Sequence, residues 1–161
     1  MVTMKRASSV ALTLPVLVVL ITGTDTAQAQ AKAGLGFKGW GIRGGVTVNP
    51  DQFHAGVHIN AGTFAPKVRF QPYFDIGFGN DVTAGTINLD AHYLFKAKGW
   101  QPYVGGGIGI ALYDTEHHFD AEAGLNLIAG FEWGTHRKLI LEVRGGVGDI
   151  PDLKVSAGIG F

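Results

Sequence analysis

From about residue 35 onward the chain alternates between two kinds of side chain with a period of two. Phe53, Ala55, Val57, Ile59 and Ala61 alternate with His54, Gly56, His58 and Asn60. Residues 119–133 repeat the pattern, with Phe119, Ala121, Ala123, Leu125, Leu127, Ala129, Phe131 and Trp133 set against Asp120, Glu122, Gly124, Asn126, Gly130 and Glu132. Successive side chains of a strand point to opposite faces, so the pattern describes strands with one apolar and one polar or glycine-rich face. No segment holds a helical period. Eight strands are expected, at 40–48, 53–63, 70–79, 83–95, 100–112, 119–133, 138–148 and 153–161. Eight is a small even number that closes an antiparallel sheet into a barrel.

Alternation alone does not say which face is inside. A soluble barrel encloses its apolar set, whereas a membrane barrel turns that set toward lipid. Composition decides between them. Charged residues make up 16% of the chain, against about 25% in ordinary soluble domains. Glycine supplies 25 of 161 residues, about double the usual share. The polar set balances Arg43, Arg69, Arg144 and Lys154 against Asp75, Asp90, Glu122, Glu132 and Glu142, with His54, His58 and His92 added. Glycines beside balanced charges suit an enclosed ion-pair network, and a water-facing surface would carry many more lysines. Trp40, Phe95, Trp100, Trp133 and Phe161 fall near one rim and Phe53, Phe78 and Phe119 near the other, as the two aromatic girdles of a membrane barrel do. An arginine is therefore expected to be costly at Leu125 and better tolerated at Asn126, where interior acids would pair it.

The first residues add an export signal. Lys5 and Arg6 precede an apolar run, Val10–Ile21, and then Ala27-Gln28-Ala29, which is the order of a cleavable signal peptide. The run is shorter than the roughly 20 residues of a spanning helix. Residues 1–29 are expected to be removed, leaving 30–161 as one barrel domain in a bacterial outer membrane. With no cysteine the chain has no disulfide, no thiol chemistry and no lipid attached through cysteine. Its formal charge of zero argues against a nucleic-acid partner.

The series Leu153, Val155, Ala157, Ile159 and Phe161 resembles the C-terminal insertion signal of bacterial outer-membrane barrels, which implies recognition by the barrel assembly machinery of that membrane. Gln71-Pro72-Tyr73 and Trp100-Gln101-Pro102-Tyr103, each running into glycine-rich sequence, resemble strands of the OmpA-like and OmpX-like small barrel families. Proline donates nothing to a sheet ladder, so each copy is expected at a strand's start or at a bulge. The chain departs from the OmpA pattern in ending at the barrel, without a peptidoglycan-binding domain, and its loops are short, unlike those of families that use long external loops for adhesion.

The resemblance implies an eight-stranded transmembrane barrel in contact with outer-membrane lipids and lipopolysaccharide. Both termini are then periplasmic. The turns on that side carry Lys67, Lys96, Lys98, His136, Arg137 and Lys138, and the opposite loops carry Asp51, Asp81, Asp114, Glu116, Asp149 and Asp152.

Some barrels of this kind modify lipid A with a serine, a histidine and an acid. Nucleophilic catalysis needs the hydroxyl beside its base. After residue 29 this chain has one serine, Ser156, on the inner face among glycines, with no histidine next to it in sequence. His117 and His118 with Asp114, Glu116 and Asp120 are donors that several transition metals accept, but a polar hairpin tip accounts for them as well. His54 and His58 share a face, where interior hydrogen bonding is the plainer role. Gly105-Gly106-Gly107-Ile108-Gly109 lacks the strand-then-helix setting of a phosphate loop. No catalytic residue, metal or cofactor is expected. The sequence reads as a non-enzymatic envelope barrel whose lumen is filled by Arg43, His58, Arg69, Asp75, Asp90, His92, Glu122, Glu132, Glu142 and Arg144. A narrow ion-conducting pore and a lipid A-modifying enzyme are the alternatives.

Overall fold

The structure is a computed structural model and describes residues 34–79, 83–115 and 118–161. The expected signal peptide, Asp81, Glu116 and His117 lie outside these. The described chain forms one closed antiparallel barrel in sequence order, β1 pairing with β2 and so on round to β8, which pairs with β1. The strands are β1 (Gly34–Val48), β2 (Gln52–Ala65), β3 (Val68–Phe78), β4 (Thr83–Leu94), β5 (Trp100–Thr115), β6 (His118–Trp133), β7 (Lys138–Gly148) and β8 (Leu153–Gly160).

The sheet is turned inside out relative to a soluble barrel. Ile42, Val57, Ile87, Ile108, Leu125 and Val147 project outward and are exposed, whereas Arg43, Asp75, Asp90, Glu142 and Arg144 are buried in the lumen. In water such a wall would be an aggregation surface; lipid is the solvent it suits. Rings border the wall at both ends. At one end Trp40 stacks on Phe161 at 5.0 Å, Phe131 stacks on Trp133 at 5.3 Å, and Tyr93 meets Phe95 edge-on. At the other, Phe53 and Phe78 are register partners on β2 and β3, and both are exposed. The first end, the basic end, carries Lys67, Lys96, Lys98, Arg137 and Lys138. The second carries Asp51, Asp114, Asp149 and Asp152, and is the acidic end.

One strand start changes, and the setting of one proline is resolved. β1 starts at Gly34, six residues before the predicted start, because Gly34, Gly36 and Gly39 mask an alternation that Leu35 and Phe37 continue. The β1–β2 register shifts between Leu35 and Gly39, and Gly39 has φ +143°, a conformation L side chains rarely take. Of the two settings expected for it, Pro72 takes the bulge, as the fifth residue of β3. It faces the stretch where β2–β3 pairing breaks register, between His58 and Thr63, so its missing N–H leaves no ladder partner waiting.

Leu125 is 57% exposed on the outer wall, and an arginine there should cost about 2–4 kcal/mol in urea unfolding from lipid vesicles. Asn126 faces the lumen as expected, is 3% exposed and donates to Asn88 at 2.7 Å. Asn126→Ala should cost about 1 kcal/mol for the lost hydrogen bond. A Leu125→Arg cost below that of Asn126→Ala would show the faces to be reversed.

Candidate functional site: the charged lumen

Large inward side chains sit beside inward glycines on the neighbouring strand. Arg43 pairs with Gly56 on β2 and Gly158 on β8, Asp90 with Gly107, His92 with Gly105, and Glu142 with Gly130. A methyl group at Gly130 would lie 2.6 Å from the Tyr103 hydroxyl, and one at Gly158 would lie 2.8 Å from the Arg43 Cβ. The glycines are the space into which the charges fit.

Three groups of polar side chains follow one another along the lumen. Near the acidic end, Lys154 Nζ donates to both Asp75 oxygens, at 3.0 and 2.9 Å, and to Thr86 Oγ1 at 3.1 Å. Thr86 in turn donates to Asp75. At the waist, Glu142 Oε1 accepts from Arg43 at 2.6 Å and from Arg144 at 3.1 Å, and Glu142 Oε2 accepts from Tyr103 at 2.7 Å. Arg144 also clamps Asp90, at 2.7 and 3.3 Å. The guanidinium carbons of Arg43 and Arg144 lie 4.1 and 4.8 Å from the Tyr73 ring centre. Toward the basic end, Glu132 bridges Arg69 at 2.5 Å and Lys138 at 3.2 Å. His92 stacks on Tyr103 at 4.7 Å and lies 3.3 Å from Arg69 through its Nδ1.

Of the residues expected to fill the lumen, the structure buries Arg43, His58, Arg69, Asp75, Asp90, His92, Glu132, Glu142 and Arg144. Glu122 departs from that set. It has inward parity on β6 but is only half-buried toward the acidic end, and no described hydrogen bond or ion pair joins it to the others. Tyr73, Tyr103, Thr86 and Asn88 belong to the network and were absent from the expected set. Their inward parity with Asp75 and Asp90 was the available signal. Both tyrosines come from the Gln-Pro-Tyr repeat, which puts glutamine and tyrosine inside and proline outside.

Ser156 is the sharper correction. His54 and Ser156 both pair with Gly45 of β1, and across that bare position His54 Nε2 meets Ser156 Oγ at 2.8 Å. The imidazole's other nitrogen, Nδ1, meets Thr47 Oγ1 at 2.9 Å. A serine does stand beside a histidine, brought there by strand pairing across the closure of the barrel. The third member is a hydroxyl where a catalytic triad has a carboxylate. All three side chains are buried, and together they stitch β8, β1 and β2.

Ile150, in the β7–β8 loop, turns into the acidic end, where a methyl group at Gly124 would lie 2.8 Å from its Cγ1. The loop is held by Gly146 donating to the Asp152 carbonyl at 2.9 Å and by Asn49 donating to the Asp152 carboxylate at 2.8 Å. The basic end holds a chamber of about 210 Å³. Among the described residues no group of three or more histidines and carboxylates could hold a metal ion. The loop donors His117 and Glu116 are outside the described set. Leu153, Val155, Ala157, Ile159 and Phe161 lie on the outer wall.

No protein-family model matches the sequence, and no curated protein sequence matches it. Solved structures with this fold include Neisserial surface protein A, 16% identical over 76% of this chain and 93% of that one, with a TM-score of 0.54. A barrel from the de novo design of transmembrane β-barrels is 12% identical over 83% of this chain and all of that one, with a TM-score of 0.50. The likeness is one of fold.

Removing one partner of a buried ion pair leaves the other charge uncompensated, at a cost of about 3–5 kcal/mol. Glu142→Ala strands Arg43, so it should destabilise the refolded barrel by about that much. Asp114→Ala, at the exposed rim, should stay within about 0.5 kcal/mol. Urea unfolding in vesicles measures both, and similar small costs would show that the waist pairs do not hold the barrel.

Proposed function

We propose that the protein is an integral barrel of a bacterial outer membrane with a structural or envelope-maintenance role and a closed, non-conducting lumen. The observation that supports this reading best is the waist cluster. Arg43 comes from β1, Glu142 and Arg144 from β7 and Asp90 from β4, so one connected set of ion pairs joins strands from well-separated parts of the wall. The basic end faces the periplasm and the acidic rim faces outward, where its carboxylates share divalent cations with lipopolysaccharide phosphates. The outward series Leu153, Val155, Ala157 and Ile159 of β8, with Phe161 after it, is what the assembly machinery engages.

The second reading, a narrow ion-conducting pore, draws on one observation. Arg43 Nε and Nη2 and His92 Nε2 are buried in the lumen without a hydrogen-bond partner in the protein, and such groups call for water. Planar-bilayer recording of the refolded protein separates the two, with no steady conductance expected. Stable unitary steps would replace the closed barrel with the pore. Folded barrel should also migrate differently on a gel before and after boiling.

Two further outcomes follow from the placement. A cysteine at Asp114 should label with an impermeant maleimide on intact cells, and one at Ala97 should not; the reverse pattern would invert the topology. Ser156, whose partner set lacks an acid and whose side chain is buried, serves as a structural tie in this reading. A fluorophosphonate probe should therefore leave the folded protein unlabelled, and labelling lost in Ser156→Ala would revive the hydrolase.

A further inference from the structure

The chamber at the basic end belongs partly to the lumen and partly to the outer wall. His58, Arg69 and Glu132 line it from inside, and Trp40 and Phe161, whose rings stack in the aromatic border, line it from outside. Lys38 and Lys138 complete its rim. Three cations, Lys38, Arg69 and Lys138, face the Glu132 carboxylate, which pairs with Arg69 and Lys138, and the α-carboxylate of Phe161, leaving a net charge of +1 before either histidine is counted. Donor capacity also remains. Arg69 Nε and His58 Nδ1 have no hydrogen-bond partner, and the two residues are 4% and 5% exposed. A buried guanidinium N–H without an acceptor is costly, and an anion in this chamber would supply one.

A second feature adjoins the first. On the outer wall lies an apolar groove of about 740 Å³. Its floor is a row of small residues in register across three strands, Ala157 on β8, Gly44 on β1 and Ala55 on β2. Ile42, Val57, Phe74 and Ile159 stand round it. Chamber and groove share the β1–β8 seam. Reading along the outward positions from the basic end, the neighbours are Trp40 with Phe161, then Ile42 with Ile159, then Gly44 with Ala157. A strand rises about 3.4 Å per residue, so the groove floor is about 14 Å along the strand from Trp40.

We infer that this seam binds one anionic glycerophospholipid, its phosphate in the basic chamber and one acyl chain laid along Ile42 and Ile159 into the groove. The inference rests on the membrane reading above, which puts the chamber at the phospholipid-containing inner leaflet. Basic pockets at the membrane face hold anionic headgroups by the same charge complementarity. Within a bilayer the groove gives no hydrophobic gain over bulk lipid, since the surrounding chains are just as apolar. Its contribution is close packing over small residues. Selectivity therefore comes from the chamber, and the groove separates a lipid from a free phosphate ion.

Native mass spectrometry tests this on protein refolded in micelles and offered an equal mixture of phosphatidylglycerol and phosphatidylcholine with identical chains. One phosphatidylglycerol should be retained, with a preference of about tenfold. Lys38→Ala with Lys138→Ala removes two rim charges, and Ala55→Leu with Ala157→Leu fills the groove from the lipid side. Each pair should lower retention several-fold while the unboiled gel shift persists. Lys38→Ala alone, at an exposed position, gives a milder version of the first test. Equal retention of the two lipids, or variants that retain as much as the parent, would overturn the site. So would displacement of the lipid by millimolar inorganic phosphate together with undiminished phosphate binding in the groove variant, an outcome that assigns the chamber to a free anion. Loss of the gel shift in the parent protein would instead remove the membrane barrel, and the lipid site with it.

Discussion

A closed sheet of eight strands encloses a space only wide enough for side chains, and here that space is given to charge. Each ionised group placed inside has lost its water, so it must meet an opposite charge and must also find volume. Both demands are met locally by alternating bulk. Glu142 and Tyr103 converge over Gly130, Arg43 lies between Gly56 and Gly158, and Asp90 rests over Gly107. Replace the glycines with alanine and several of these side chains would need to move; remove the charges and the glycine-lined lumen would be underfilled. Between its aromatic borders the outer wall carries no comparable pairing constraint, and Ile, Leu, Val and Phe recur there by parity.

Much of the fold was legible because period-two alternation survives nearly the whole chain, and strand boundaries followed from where it lapses. It failed at Gly34–Gly39, where a bulge and three glycines leave only Leu35 and Phe37 to carry the signal. For Pro72 the sequence left a strand start or a bulge open, and the register break in the neighbouring strand decides for the bulge. The candidate site was legible as a face and not as a set of pairs. Parity assigned Arg43 and Glu142 to the inside, but their meeting depends on the tilt and stagger of strands far apart in sequence. The same gap hid the contact between Ser156 and His54. Each is beside Gly45 only because β8 and β2 flank β1, a relation that exists once the barrel closes. Glu122 shows the converse limit, since inward parity near a strand end does not guarantee enclosure.

Among the described residues the two ends of the lumen carry different features. At one mouth Ile150, in the loop that joins the last two strands, packs over Gly124 and Gly146. At the other lies a basic chamber that reaches the wall beneath Trp40 and Phe161. The rim charges give the cylinder a direction. Lysines gather at the end that holds the chamber, and aspartates gather at the end where Ile150 packs.

The ties that cross the lumen join residues far apart along the chain. Arg43 reaches Glu142 across 99 positions, His54 reaches Ser156 across 102 and Lys154 reaches Asp75 across 79. A partly built sheet therefore holds stranded charges in a medium that cannot solvate them until the strands that carry their partners arrive. Intermediate sheets are the least favourable species on the way to the barrel, so assembly and loss of the structure are cooperative: the wall exists complete or not at all.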